Sequence, residues 1–177
     1  QGWLADRRYT EGAGIKTGTR HATTPYLAWF DADGQHRATD LADMFEAAKK
    51  GHYDAVFGNR ASGSAVVKSR VVGKAVLGVV ANSVANIKIP DINCGLRVFR
   101  RELLAGYLPL LPDGFSASTT TTLLFIKRNR HFMFHPIVTA ERVGKSTVKQ
   151  VRDGFRTLHL MMRILFLFSA FKAFALV

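Results

Sequence analysis

Two carboxylates, a glycine and an amide follow directly on an apolar run in the first third of the chain. Asp31 and Asp33 come after residues 26–30 and are separated by one residue. Side chains alternate along a strand, so if 26–30 is a buried strand, both acids lie on the same side of its end. Oxygen donors aimed at one point suit Mg²⁺ or Mn²⁺, and such a cation suits a diphosphate. On spacing alone, a solvated turn stays open as the alternative.

The elements around these acids predict an α/β sheet. Residues 26–30 form the first strand, and a helix follows over 40–50, capped by Thr39 and ended by Gly51. Residues 54–59 form the next strand. Strand, helix and strand in this order make a βαβ unit with parallel strands. Ligands of such sheets bind beyond the carboxyl ends of the strands, which is where the two acids lie.

The remaining elements are predicted from periodicity and from turn residues. The long run 66–89 favours a helix because of its length, and Pro90 closes it. Pro136 places the last strand at an edge or end of the sheet. The other predicted elements are a short helix at 13–22 with Ile15 inward, a strand at 96–99, a helix near 102–110, a helix capped by Ser116 or Ser118 that reaches Lys127, and a strand at 132–138.

The composition predicts an anionic partner. Lys and Arg outnumber Asp and Glu by 25 to 13, a formal charge of +12. Nucleic acid, a phosphorylated substrate and an acidic membrane all fit this charge. Zinc-finger spacing and an aromatic-rich RNA-binding strand are both lacking, so we expect no nucleic-acid partner. The single Cys94 excludes an internal disulfide, and the histidines show no zinc-site spacing with it.

The last segment has the pattern of an amphipathic helix at a membrane surface. Basic residues recur at helical steps on one side, and apolar residues such as Phe155 and Met162 form a stripe on another. Residues 164–177 are almost wholly apolar but shorter than the ~20 residues that span a bilayer. We therefore expect an approach to a membrane helix, with a solvated surface helix as the alternative. The basic stripe consists of Lys149, Arg152, Arg156, His159 and Arg163.

Six stretches in order resemble the family 2 glycosyltransferases that load a sugar onto a polyprenyl phosphate, such as dolichyl-phosphate mannose synthase and the undecaprenyl-phosphate enzymes. One such motif is weak evidence, whereas six in register are strong. The stretches are GAGIKTGTRHA (12–22), FDADGQH (30–36), DAVFGNR (54–60), PDINCGLRVFRREL (90–103), LPDGFSASTTTTL (111–123) and ERVGKSTVKQVRDG (141–154).

The resemblance implies a fold, an activity and a set of site residues. It implies a GT-A type α/β fold with a mixed, mostly parallel sheet, and a metal-dependent, inverting transfer from a nucleotide-diphosphate sugar to a polyprenyl phosphate. Asp31, Asp33 and Gln35 would hold Mg²⁺ or Mn²⁺, with Asp31 facing the donor and Asp91 near the reacting centre. The substrate-binding residues would be Arg60, Arg70 and Lys74 at the acceptor phosphate, Arg97, and Arg142, Lys145 and Ser146 in a loop over the phosphates.

The resemblance also implies a membrane setting and shows where this chain departs from the family. Residues 1–148 would be a partial catalytic domain and 149–177 a juxtamembrane helix, at the cytoplasmic face of a bacterial inner membrane or of the endoplasmic reticulum. The family's first two strand motifs, which hold the base and ribose, have no counterpart here, so we expect a fragment. Cys94 stands where the family has Ser or Thr. A catalytically inactive membrane scaffold of the same fold is the first alternative function, and a basic nucleic-acid-binding domain, which the charge alone suggests, ranks after it.

Overall fold

A computed structural model describes residues 11–31, 33–60, 87–114, 116–140 and 159. In the described ranges the helices are α1 (Glu11–His21), α2 (Ala38–Lys50), α3 (Arg101–Tyr107) and α4 (Ala117–Lys127), with a 3-10 turn at Leu108–Leu110. The strands are β1 (Tyr26–Trp29), β2 (Ala55–Arg60), β3 (Arg97–Arg100) and β4 (Phe132–Ile137). The predicted elements in these ranges all form, within a few residues of the expected bounds.

The four strands form one mixed sheet in the order β1-β3-β2-β4. β3 is antiparallel to both β1 and β2, whereas β2 and β4 are parallel. β1, β2 and β4 therefore run in the same direction, and for β1 and β2 this is the orientation that the βαβ pattern predicted. The pattern did not predict that β3 lies between β1 and β2. Among the described strands β4 is at an edge, as Pro136 predicted.

Apolar side chains cover both faces of the sheet. On one face Phe57 and Phe99 pack with α3 and α4, and Ile15 of α1 joins this cluster as predicted. On the other face Val56 and Val98 pack against α2. Neighbouring residues of β2 and β3 thus point to opposite faces, as the pleat requires. The result is a sheet flanked by helices on both sides.

One predicted helix cap is wrong, whereas a second cap position and one helix end are confirmed. Arg37, not Thr39, occupies the N-cap of α2, and its side chain makes no capping bond. Ser116 is at the N-cap of α4, but its backbone is left-handed at φ 86° and its side chain makes no capping bond. Gly51 ends α2 as predicted: its N–H donates to the Ala47 carbonyl, and the N–H of His52 donates to the Lys49 carbonyl.

Helix α4 is buried on all sides. Every residue from Ala117 to Ile126 is buried, including four consecutive threonines. Three of these hydroxyls donate to carbonyls of the preceding turn, which satisfies them locally. The run of four threonines is therefore part of the protein interior.

Several predictions concern residues outside the described ranges. They are the helix over 66–89, apart from its last residues, the juxtamembrane helix after 149 and the six basic or polar residues Arg70, Lys74, Arg142, Lys145, Ser146 and Lys149. His159 is described as helical and exposed. Within the described part, no helix is both long enough and apolar enough to cross a bilayer.

Candidate active site

The loops that carry the predicted site meet at one edge of the sheet. Trp29 pairs with Arg97 in the antiparallel register of β1 and β3, so the residues after β1 lie beside those before β3. A Cβ added to Gly95 would overlap the carboxylate of Asp31. The fold therefore places the Asp31 carboxylate directly over the backbone of Gly95, and any larger residue there would require this carboxylate to shift.

The loop after β1 is tied to the residues that follow β4. The Gln35 N–H donates to Asp33 Oδ1 at 3.2 Å, and Gly34 adopts a left-handed φ of 75°. The Gln35 side-chain amide nitrogen donates to the Ala140 carbonyl at 3.2 Å, and the Ala140 N–H donates back to the Gln35 carbonyl at 3.0 Å. The amide nitrogen is thus engaged, which leaves the Gln35 side-chain oxygen as the donor for a cation.

Arg60 and Asp91 form a two-pronged ion pair at the end of β2. Arg60 Nε donates to Asp91 Oδ2 at 2.6 Å, and Nη2 donates to Oδ1 at 2.8 Å. The side chains are 30% and 13% exposed, so the pair is partly shielded from water. Burial alone would raise the pKa of Asp91, but the hydrogen bond and charge of Arg60 outweigh it and lower that pKa. The third nitrogen, Nη1, is not used by this pair.

Arg97 lies in the protein interior. Its side chain is fully buried, and its guanidinium stacks on the Phe57 ring at 4.8 Å. Burial lowers the pKa of Arg97 to about 10, so the group stays charged at neutral pH. Direct substrate binding, which the resemblance implied for Arg97, does not fit this position. The physical reason is that its donors are turned inward to carbonyls and hydroxyls.

Two further titratable groups at this edge were not identified as site residues from the sequence. Partial desolvation of the Glu11 carboxyl, together with the charge of Asp31, raises its pKa to about 7, although the residue keeps exposed surface. Burial lowers the pKa of His36, against the opposing charges of Asp31 and Asp33. Its Nδ1 is buried and has no hydrogen-bond partner among the residues that the structure describes. Only the fold brings Glu11 to Asp31, whereas His36 adjoins the motif in sequence.

The donor set fits a divalent cation that shares its coordination with a substrate. Among the described residues, no three His, Cys, Asp or Glu side chains form a cluster that could hold an ion. Asp31, Asp33 and the Gln35 amide oxygen supply hard oxygen donors on one loop. A protein that binds Mg²⁺ through one or two carboxylates leaves the other positions to substrate phosphates and water. These residues therefore suit an ion delivered with a diphosphate.

The sequence of this chain matches a family model over more than half its length. The model is that of glycosyl transferase family 2, and it matches residues 5–108. The chain belongs to glycosyl transferase family 2. The matched range contains Asp31, Asp33, Gln35, Arg60 and Asp91.

A solved structure shares the fold of this family 2 chain. It is glucosyl-3-phosphoglycerate synthase from Mycobacterium tuberculosis in complex with phosphoglyceric acid, with a TM-score of 0.62 and 14% sequence identity. The match covers 90% of this chain and 56% of that one, so this chain spans little more than half of the synthase. The likeness shows that the family 2 chain has the GT-A glycosyltransferase fold.

Proposed function

We propose that this family 2 chain transfers a sugar from a nucleotide-diphosphate sugar to a polyprenyl phosphate at the cytoplasmic face of a membrane. The observation that carries the proposal is the meeting of two loops at one sheet edge, with Asp31 over Gly95. The family and the GT-A fold support nucleotide-sugar transfer. The basic and apolar stripes after residue 149 support a lipid acceptor.

The donor half of the reaction uses the loop after β1. Asp31, Asp33 and Gln35 would hold Mg²⁺ or Mn²⁺, and that ion supplies charge stabilisation for the diphosphate leaving group. The bonds between Gln35 and Ala140 fix the loop, so its oxygen donors are oriented before the substrate binds. Such preorganisation lowers the cost of stabilising charge as it develops.

The acceptor half of the reaction depends on positioning. A phosphate monoester has a second pKa of ~6, so it is already mostly dianionic at neutral pH and needs no strong general base. Arg60 is the described cation at the end of β2, and Asp91 holds its planar fork in one orientation. Nη1, which that pair does not use, is the donor that we assign to the acceptor phosphate. Asp91 thus orients the binding group beside the reacting centre, and Arg70 and Lys74 would add further charge.

The test is a transfer assay with two acceptors. The protein is incubated with Mg²⁺ or Mn²⁺, a radiolabelled uridine- or guanosine-diphosphate sugar, and either undecaprenyl or dolichyl phosphate in detergent or 3-phosphoglycerate in solution. We expect label in the organic phase with a polyprenyl phosphate, and its loss with a chelator. Label found only in a water-soluble product of 3-phosphoglycerate overturns the lipid acceptor, and no transfer from either donor overturns the enzymatic function.

A further inference from the structure

The guanidinium of Arg97 is buried where most proteins place apolar side chains. Arg is almost never fully buried unless it is paired. Among the described residues, none of its hydrogen bonds goes to a carboxylate. A buried cation without such a pair needs its donors satisfied by dipoles.

Four hydrogen bonds satisfy Arg97, and two of them hold a loop. Nε donates to the Cys94 carbonyl at 2.8 Å, and Nη2 donates to the Ile92 carbonyl at 2.9 Å. Nη1 donates to the hydroxyl of Thr122 at 2.7 Å and to that of Thr121 at 3.2 Å. The guanidinium therefore links the loop before β3 to the buried helix α4.

A second contact ties the same loop to the same helix. The Thr119 hydroxyl donates to the Asn93 side-chain oxygen at 2.7 Å. Three consecutive residues of the loop are thus anchored, directly or through Arg97, on α4. These three residues are flanked by Asp91 and Gly95. Asp91 pairs with Arg60, and the Asp31 carboxylate lies on Gly95.

We infer that Arg97 is a positioning residue that, with Thr119, Thr121 and Thr122 of α4, fixes residues 91–95 at the active site. The anchored loop sets where Asp91 presents its carboxylate to Arg60 and where the backbone meets Asp31. The catalytic consequence rests on the proposed function, whereas the ordering of the loop does not. Arg97 does not touch the substrate, and it acts through the loop.

The test compares two threonines of α4 that differ in one contact. Thr120 and Thr122 are both fully buried, and each hydroxyl donates to the carbonyl four residues earlier. Only Thr122 also accepts from Arg97. Thr122→Val therefore removes the shorter of the two hydrogen bonds from Arg97 to α4. Thr120→Val is the matched control with the same change of atoms and the same lost helical hydrogen bond.

The single Cys94 reports loop opening without any assay of activity. It is fully buried, and its carbonyl accepts from Arg97. Burial raises the pKa of its thiol, so a disulfide reagent reacts only when the loop opens. We expect Thr122→Val to be labelled about tenfold faster than Thr120→Val, since a hydrogen bond to a charged group is lost. Equal labelling rates in the two variants overturn the inference, whether or not the protein proves to be a transferase.

Kinetics separate positioning from simple stability. The transfer assay is run at a temperature where both variants are folded. We expect kcat of Thr122→Val to fall about tenfold while its KM for the nucleotide sugar stays unchanged. For Thr120→Val we expect an unchanged kcat. Arg97→Lys keeps the charge and should recover part of the kcat lost in Arg97→Met. If Thr122→Val is labelled faster but keeps its kcat per folded molecule, Arg97 anchors the loop without positioning it for catalysis. That result overturns the catalytic consequence of the inference.

Discussion

Asp91 binds Arg60 through both carboxylate oxygens, at 2.6 and 2.8 Å, and so joins the end of β2 to the loop before β3. The two residues are 31 positions apart in the sequence. Their pairing means that the group assigned to the acceptor phosphate is oriented by an acid from another segment. Changes at either residue should therefore affect the same step.

A double-mutant cycle tests this coupling. We expect Arg60→Ala and Asp91→Ala each to lower the free energy of unfolding by ~1–3 kcal/mol, because each leaves the partner charge partly buried and unpaired. The double variant should cost less than the two single changes together. Chemical denaturation measures the cycle, and the KM for the polyprenyl phosphate measures its functional counterpart. If the effects of the two changes are strictly additive in the free energy of unfolding and in KM, Arg60 and Asp91 do not act as a coupled pair.

Gly95→Ala is expected to disturb the site while leaving the fold intact. The added Cβ would overlap the Asp31 carboxylate, so the acid must move away from its position. Turnover should fall at least about tenfold, since a displacement of 1 Å can cost 10²-fold in rate. Gly106→Ala is the control, because nothing lies within 4 Å of a Cβ there. Transfer rates and circular dichroism of both variants check the prediction, and equal rates would refute the close approach.

The pH dependence of stability should identify Asp91 as an acid with a lowered pKa. Its ordinary value is 3.8, and Arg60 holds the folded value below that. An acid with a lowered pKa contributes stability that is fully present above 3.8 and is lost as the pH falls through the folded pKa. The gap in unfolding free energy between the wild type and Asp91→Asn should be constant from neutral pH down to about pH 4 and shrink below it.

The control for this titration is Asp43→Asn, which changes an exposed carboxylate of α2. A gap for Asp91→Asn that widens below pH 3.8 would mean that the pKa of Asp91 is raised rather than lowered.

The elements that position the site were predictable from local patterns. The apolar run before Asp31 marks β1, and the periodicity that ends at Gly51 marks α2. The insertion of β3 between β1 and β2 was not predictable, because it depends on a pairing between segments far apart in sequence. For the same reason no pattern near Gly95 indicated its contact with Asp31.

Arg97 shows why side-chain roles are harder to predict than elements. The sequence places Arg97 between Leu96 and Val98 in a strand. That pattern is compatible with a side chain that faces a ligand and equally with one that faces the interior. The deciding partners are hydroxyls of α4, which fold against it from 24 and 25 residues away. The one available signal was the run of four threonines, which is unusual at an exposed helix start and is buried here.

The most direct test of the central claim is metal-dependent sugar transfer by Asp33→Asn in the intact protein. Two quantities of Asp33→Asn are compared with those of the control Asp43→Asn. The first is the Mn²⁺ affinity, measured by calorimetry with the nucleotide diphosphate bound. The second is the rate of transfer to polyprenyl phosphate at limiting Mg²⁺ or Mn²⁺. We predict that Asp33→Asn binds Mn²⁺ at least tenfold more weakly, about the effect of altering a metal-site residue, and needs correspondingly more metal for turnover. Wild-type affinity together with wild-type turnover at limiting metal would contradict the account.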